Sequence, residues 1–338
     1  MNIIKYNSFG EIEKQWMYLY SKQYKPFQHP DVIKATDTLA YKLKLLAKGI
    51  HSHVHYYACY DNNKIVMIVP IRHFSKGNVS VLGSIEDYEK VELLYDPNFK
   101  FDKLIREFFI YLKDCGCQNF IWKHLPEYSE QYKCLNEIGY ELKKMNNISV
   151  AIPFYEGYDV YFRNLKKAVR QNIRTAYNRV HRNNNTLKLE IFMAKDMLDN
   201  KSYENKYIEY TDVYIKRRME RYKVCGFIHK IFAEKYHYLA KSYRSDNGFL
   251  AGISINGVTA ACMEGYISNS MESMEVPRLA INNNFGFYSP GILLINEVIK
   301  YLANNTKIRK LDLCGGDEKY KLDCGGIIYL TADIEIKL

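Results

Sequence analysis

A chain of 338 residues, 47% of them hydrophobic, is long enough for two ordinary domains with real cores. No uninterrupted apolar run approaches the ~18 residues a bilayer crossing needs. The opening stretch MNIIKYNSFGEIEKQW has neither the basic nor the apolar region of a cleavable leader, so a globular protein of the cytoplasm is expected. The net charge of +10 is uneven, with +3 over residues 1–150 and +7 over 151–338, and the eight scattered cysteines contain no CxxC pair, which predicts reduced thiols and no disulfide framework.

Along the first half, HVHYYACY and KIVMIVPIRHF are β-rich runs joined by DNN, the pattern of a hairpin. His51, His53 and His55 alternate, so a strand would place them on one face. No cysteine or acid follows them at ligand spacing, and no metal is expected. FDKLIREFFIYLKDCGC predicts an amphipathic helix, with Cys115 and Cys117 in a solvated turn after it, and NFIWKHL a strand. Pro153 and Gly157 in AIPFYEGYD mark the join, giving domains at 1–152 and 153–338.

The second half opens with RNLKKAVRQNIRTAYNRVHR, residues 163–182, which carries seven basic residues and no acid. Leu165, Val169, Ile173, Ala176 and Val180 form an apolar stripe at helical spacing. Arg163, Lys167, Arg170, Arg174 and His181 fall on the opposite side as a basic ridge. Like charges along one face repel unless an anion is near, so Arg170 and Arg174 are candidate contacts to an anionic ligand. Two helical stretches follow, at about 196–219 and 228–243. GFLAGISI and VTAACMEGYI flank Asn256-Gly257, a strong hairpin signal. A strand MESMEVPRL, a helix from Gly291 to about Leu302 and a strand KLDLC complete the half, so both halves read as hairpin, helix, strand.

Two features of the second half point to chemistry. In FGFYSPGILLINEVIKYL, Ser289 is the expected N-cap, Pro290 suits the first turn, and Gly291 lets a ligand approach the backbone. An open helix entrance attracts phosphate through its free N–H groups and dipole. In KIRKLDLCGGDEKYKLDCGG, a strand holding Asp312 runs into a Gly-Gly turn and a dense polar cluster. Glu264 interrupts an apolar strand and Asp312 is similarly set. Either could serve as a general base of raised pKa, or be a buried carboxylate paired with Lys or Arg. Asp317, Glu318 and Lys321 are read as orienting an acceptor, and Tyr320 or Tyr288 as proton donor to a leaving thiolate.

The segments LKKAVRQNIRTAYNRV, YSPGILLINEVIKYL and LDLCGGDEKYK together resemble the GNAT superfamily. The likeness is to the acetyltransferase-like branch of polysaccharide and cellulose biosynthesis, related to the Fem-type peptidoglycan aminoacyltransferases. The resemblance covers residues 160–326 well and reaches the first half through EIEKQWMYLY, KIVMIVPIRHF and GSIEDYEKV. It implies an α/β (α+β) protein of tandem GNAT-like domains, each a mixed sheet flanked by helices. It further implies an acyl-coenzyme A donor such as acetyl-coenzyme A held at Ser289, Pro290, Gly291 and Ile292. Gly286 stands at the first position of the superfamily's Gln/Arg-x-x-Gly-x-Gly/Ala loop and Ser289 replaces a glycine. Three functions stay open. They are an acyl-coenzyme A dependent N-acyltransferase acting on an amine, such as that of an amino sugar or nucleotide-linked sugar; an aminoacyltransferase using charged tRNA; and a non-catalytic binding module.

Overall fold

The structure, a computed structural model, describes residues 1–23, 25–36, 51–85, 88–193, 200–222, 248–267 and 272–338. The chain packs as two units, residues 1–148 with 329–338, and residues 149–328. The division therefore falls a few residues before the Pro153 join read from the sequence. The last ten residues also belong with the first unit, where the sequence reading kept them with the second.

The first unit runs β1 (Asn2–Tyr6), α1 (Phe9–Gln23), α2 (Pro30–Thr36), β2 (His53–Asp61), β3 (Lys64–His73), β4 (Asn78–Val81), β5 (Leu94–Tyr95), α3 (Phe101–Asp114), β6 (Asn119–Pro126) and α4 (Glu130–Glu137). It also takes the start of β7 (Leu142–Pro153). Its sheet is mixed: β1, β2, β3 and β4 pair antiparallel in turn, and β4 pairs parallel with β6. The expected β2–β3 hairpin forms, and it turns on Asn62 and Asn63, both with positive φ (46° and 63°), the primed geometry whose twist matches the strands. The helix expected at FDKLIREFFIYLKD is α3, which buries Phe101, Leu104, Ile105, Phe108, Phe109 and Leu112. The chain's final strand, Ile327–Lys337, pairs antiparallel with β6. Its buried Ala332, Ile334 and Ile336 alternate with partly exposed residues, so one face of that strand can close over a core.

The second unit contains the end of β7, α5 (Tyr158–Asn164), α6 (Lys167–Arg182), β8 (Leu187–Met193), α7 (Asn200–Tyr222), β9 (Gly248–Ile255), β10 (Val258–Ile267), β11 (Ser273–Ile281), α8 (Pro290–Asn305), β12 (Lys310–Gly315) and α9 (Lys319–Asp323). The strand order is β7, β12, β11, β10, β9, β8, antiparallel except for β11 with β12. The β9–β10 hairpin turns on Asn256 and Gly257, as its sequence predicts.

The helix expected over 163–182 is broken at Leu165 (ψ 148°), which caps α5, so Arg163 lies on α5 and α6 starts at Lys167; Leu165 and the stripe residues Val169, Ile173, Ala176 and Val180 of α6 are all buried. They share one core with Leu293, Leu294, Val298 and Ile299 of α8. Helix α7 packs against β10 and β11. The helix expected at 228–243 lies outside the described residues. Each unit is thus a mixed sheet flanked by helices. Among the described residues no helix is long and apolar enough to cross a membrane.

Candidate active site

The helix α7 covers a layer of the second unit's sheet that is polar although it is buried. Glu264 on β10 is 1% exposed, and its Oε2 lies 3.0 Å from Arg278 Nη1 on β11. From α7, Thr211 Oγ1 donates to Glu264 Oε1 at 3.4 Å, Tyr207 Oη lies 3.1 Å from Arg278 Nη1, and the Tyr214 ring stands 5.8 Å from the guanidinium carbon. Residues 207, 211 and 214 sit on one helical face, which explains why all three reach the same pair. Burial pushes the Glu264 carboxyl above the usual range, against the pull of Arg278 and its hydroxyl neighbours. Of the two readings the sequence left open for Glu264, the pairing with an arginine is present.

A β-bulge is what brings these groups together. Glu264 faces Arg278 and Tyr266 faces Glu275, so β11 spends three residues where β10 spends two, and the extra residue falls at Val276-Pro277. In a regular strand residues three apart point to opposite faces, so the bulge is what puts Glu275 and Arg278 on the same one. Gly265 sits opposite, and a Cβ there would run into the Glu275 carbonyl, so only glycine fits. Sequence reasoning missed Arg278 and Glu275. The available signal was Pro277 inside a strand pattern, since a proline there marks an edge or a bulge.

Next to this pair, Glu275, Asp312 and Cys314 are all buried and their side-chain ligand atoms lie within 4.8 Å of one another. Ser273 Oγ donates to Glu275 Oε1 at 2.8 Å, and Asp312 Oδ1 accepts the Cys314 N–H at 2.9 Å. Strands β11 and β12 pair in parallel only over Ser273–Lys310, Met274–Leu311 and Glu275–Asp312. Among the described residues their ladder stops there, while β11 continues to Ile281 and β12 to Gly315. Asp312 and Glu275 therefore stand at the fork of two diverging strands.

The loop after β12 is held by Lys321. Its ammonium is buried and donates to the carbonyls of Gly315 (2.5 Å), Gly316 (3.1 Å) and Cys314 (3.4 Å), and lies 3.0 Å from Glu318 Oε2. Lys321, expected to orient an acceptor, is instead committed to the backbone of the loop. Burial alone would raise Glu318, but its bond to Lys321 brings its carboxyl below the usual range. Asp317 is exposed, and Tyr320 packs against the apolar core, with burial raising its phenol.

The helix entrance differs from expectation in its details. Ser289 makes no side-chain cap and is left-handed (φ 50°), because the chain enters α8 directly from a 3-10 turn at Asn283–Tyr288. A Cβ on Gly291 would lie 3.1 Å from Ile281 Cγ2 and 4.0 Å from Leu279 Cδ2, so the glycine admits the end of β11. That contact sets the entrance, with Pro290 at its first position and Ile292 following, over the stretch of β11 that pairs with β10 beyond its ladder with β12. Arg179 and the Asn183 and Asn185 amides tie the turn to α6 through the Phe287 carbonyl and the Tyr288 hydroxyl. On the basic ridge, Arg170 folds back to donate to the carbonyls of Arg163 and Leu165, both at 2.5 Å, while Arg174 is exposed. The ridge is therefore not uniform.

Comparison with known proteins agrees with the sequence resemblance. Residues 167–322 match the family model described as the acetyltransferase (GNAT) domain. No curated protein matches the chain. Among solved structures, FemX is 10% identical over 100% of this chain and 98% of its own, with a TM-score of 0.60. L-PGS from Bacillus licheniformis is 11% identical over 95% and 90%, with a TM-score of 0.58. A tandem GNAT protein from the clavulanic acid biosynthesis pathway is 7% identical over 99% and 97%, with a TM-score of 0.54. At these identities the likeness is one of fold, that of tandem GNAT-like domains.

Proposed function

We propose, from the match of residues 167–322 to the acetyltransferase (GNAT) domain model, that the protein is an N-acyltransferase moving an acyl group from acyl-coenzyme A to an amine. The observation that carries the reading is the fork between β11 and β12, with Asp312 at its apex and the α8 entrance over its far end. Beyond Glu275 the ladder that joins β11 to β12 ends, so backbone groups on that edge of β11 can take other partners. An extended acyl-pantetheine arm, with its amides, can supply them as an added strand does. The N–H groups of Gly291 and Ile292 at the start of a 16-residue helix offer an anion site for the pyrophosphate.

In this reading Asp312 takes the proton as the amine attacks the thioester carbonyl, and the departing thiolate is protonated by a nearby group, for which Tyr320 is the candidate. Burial raises the Tyr320 phenol, which weakens it as an acid, so this role depends on its reach to the thiolate. The Glu264–Arg278 pair ties β10 to β11, the strand that meets β12 at Asp312. Asp317 and Glu318, exposed on the loop that Lys321 holds, are the candidates for contacting the acceptor, an amine such as that of an amino sugar or nucleotide-linked sugar.

The acid-free face of α6, with Arg174 exposed, favours a second reading in which charged tRNA is the donor and its phosphates lie on that face. Melting curves separate the readings, because a ligand that binds only the native state raises the melting temperature. Stabilisation by acetyl-coenzyme A supports the proposal; stabilisation by charged tRNA alone supports the second reading; a response to neither leaves a binding module. Under the proposal, Asp312→Asn keeps the acetyl-coenzyme A shift and loses thiol release in the presence of amines by about a hundredfold or more. Undiminished thiol release in that variant would remove Asp312 from the chemistry.

A further inference from the structure

The first unit carries a histidine cluster that acyl transfer does not use. His53 on β2 and His73 on β3 are cross-strand partners, and His55, two residues along β2, shares their face. The ring centroids are 4.7 Å apart for His53 and His55, 5.2 Å for His53 and His73, and 5.1 Å for His55 and His73. One ring nitrogen from each lies within 4.8 Å of the others. His51, which the alternation in the sequence grouped with them, precedes β2 and is exposed. The third member comes from the neighbouring strand, which spacing along one strand does not reveal.

We propose that His53, His55 and His73 form a binding site for a first-row divalent transition-metal ion of the kind imidazole favours, with zinc as the representative. His55 Nδ1 is buried without a hydrogen-bond partner. A buried polar atom left alone costs free energy, and a metal ion directed at it removes that cost. His73 Nε2 lies 2.9 Å from the Tyr57 hydroxyl. With the proton on Nε2 and Tyr57 accepting it, the Nδ1 lone pair of His73 is free to coordinate, the arrangement that commonly orients a metal-bound imidazole.

Lys5 is exposed, and solvent screens its repulsion of a bound cation. Zinc–nitrogen bonds of about 2.0–2.1 Å draw the three nitrogens together, and the exposed His53 has room to adjust its side chain to that geometry. Three imidazoles leave a fourth position for water or an anion.

The test is a calorimetric titration of chelator-treated full-length protein with zinc chloride at pH 7, repeated with four variants. The parent is expected to take up one ion per chain. His53→Ala and His73→Gln are each expected to weaken that affinity by at least about tenfold, while His51→Ala and Cys115→Ser bind as the parent does. Because His53 is exposed, its variant keeps the fold, and a melting curve checks that His73→Gln does too. Cobalt(II) in place of zinc should give visible d–d bands without sulfur charge transfer. No saturable uptake, equal affinity in His53→Ala, or a thiolate band would each overturn the assignment.

Discussion

Glu264 and Arg278 are enclosed together beneath α7, so removing one charge strands the other in a low-dielectric layer. Arg278→Ala is expected to cost about 3 kcal/mol in a denaturant melt. The double variant Arg278→Met with Glu264→Gln should recover much of that loss, because it leaves no orphan charge; a double variant as unstable as Arg278→Ala would mean the pair is not the source. In the first unit, Asp96 is buried beside Lys22 at 2.7 Å and Lys64 at 3.0 Å and accepts the Asn98 N–H. Burial would raise its carboxyl, but these partners draw it from 3.8 down to about 2. Its contribution, about 2 kcal/mol, is full above about pH 4 and is lost as pH falls through 2. Asp96→Asn should therefore flatten the fall in stability between pH 4 and pH 2; an unchanged acid limb would show that Asp96 is not linked to folding. The carboxylates at 264 and 312 were legible as residues interrupting apolar strands. Their partners were not, because Arg278 reaches Glu264 only through a bulge that shifts the strand's alternation.

At the scale of single elements, α6 shows how a helical pattern can fix one face and leave the other open. Its apolar stripe from Val169 to Val180 was readable from spacing alone and is buried, whereas the break at Leu165 that separates it from α5 was not. The basic face was readable as charge but not as roles. Arg170 closes the α5–α6 junction by bonding two carbonyls, whereas Arg174 points to solvent. Arg170→Ala should cost about 1–2 kcal/mol through the lost charge-assisted hydrogen bonds, and Arg174→Ala less than about 0.5 kcal/mol. Equal melting temperatures for the two variants would return Arg170 to the solvated face. The α8 entrance carries the same lesson. Ser-Pro-Gly marked the helix start, but the glycine's closest neighbour is Ile281 of β11, so a larger side chain at Gly291 disturbs packing as well as any ligand.

At the scale of the whole chain, the repeated order of hairpin, helix and strand was legible because each signal is local: Asn-Asn and Asn-Gly turns, a 3.6-residue stripe, an apolar run. The return of the final strand to the first unit was not, because it rests on pairing with β6 some two hundred residues earlier. The fork between β11 and β12 was hidden for the same reason, since divergence is a property of two strands and not of either sequence. That fork is the centre of the functional account. Amide hydrogen exchange on the full-length protein, with and without acetyl-coenzyme A, tests it most directly. Donor binding should slow exchange at Gly291 and Ile292 and along residues 276–281 and 313–315. Binding of acetyl-coenzyme A with no protection in those segments, or no binding at all, would contradict the account.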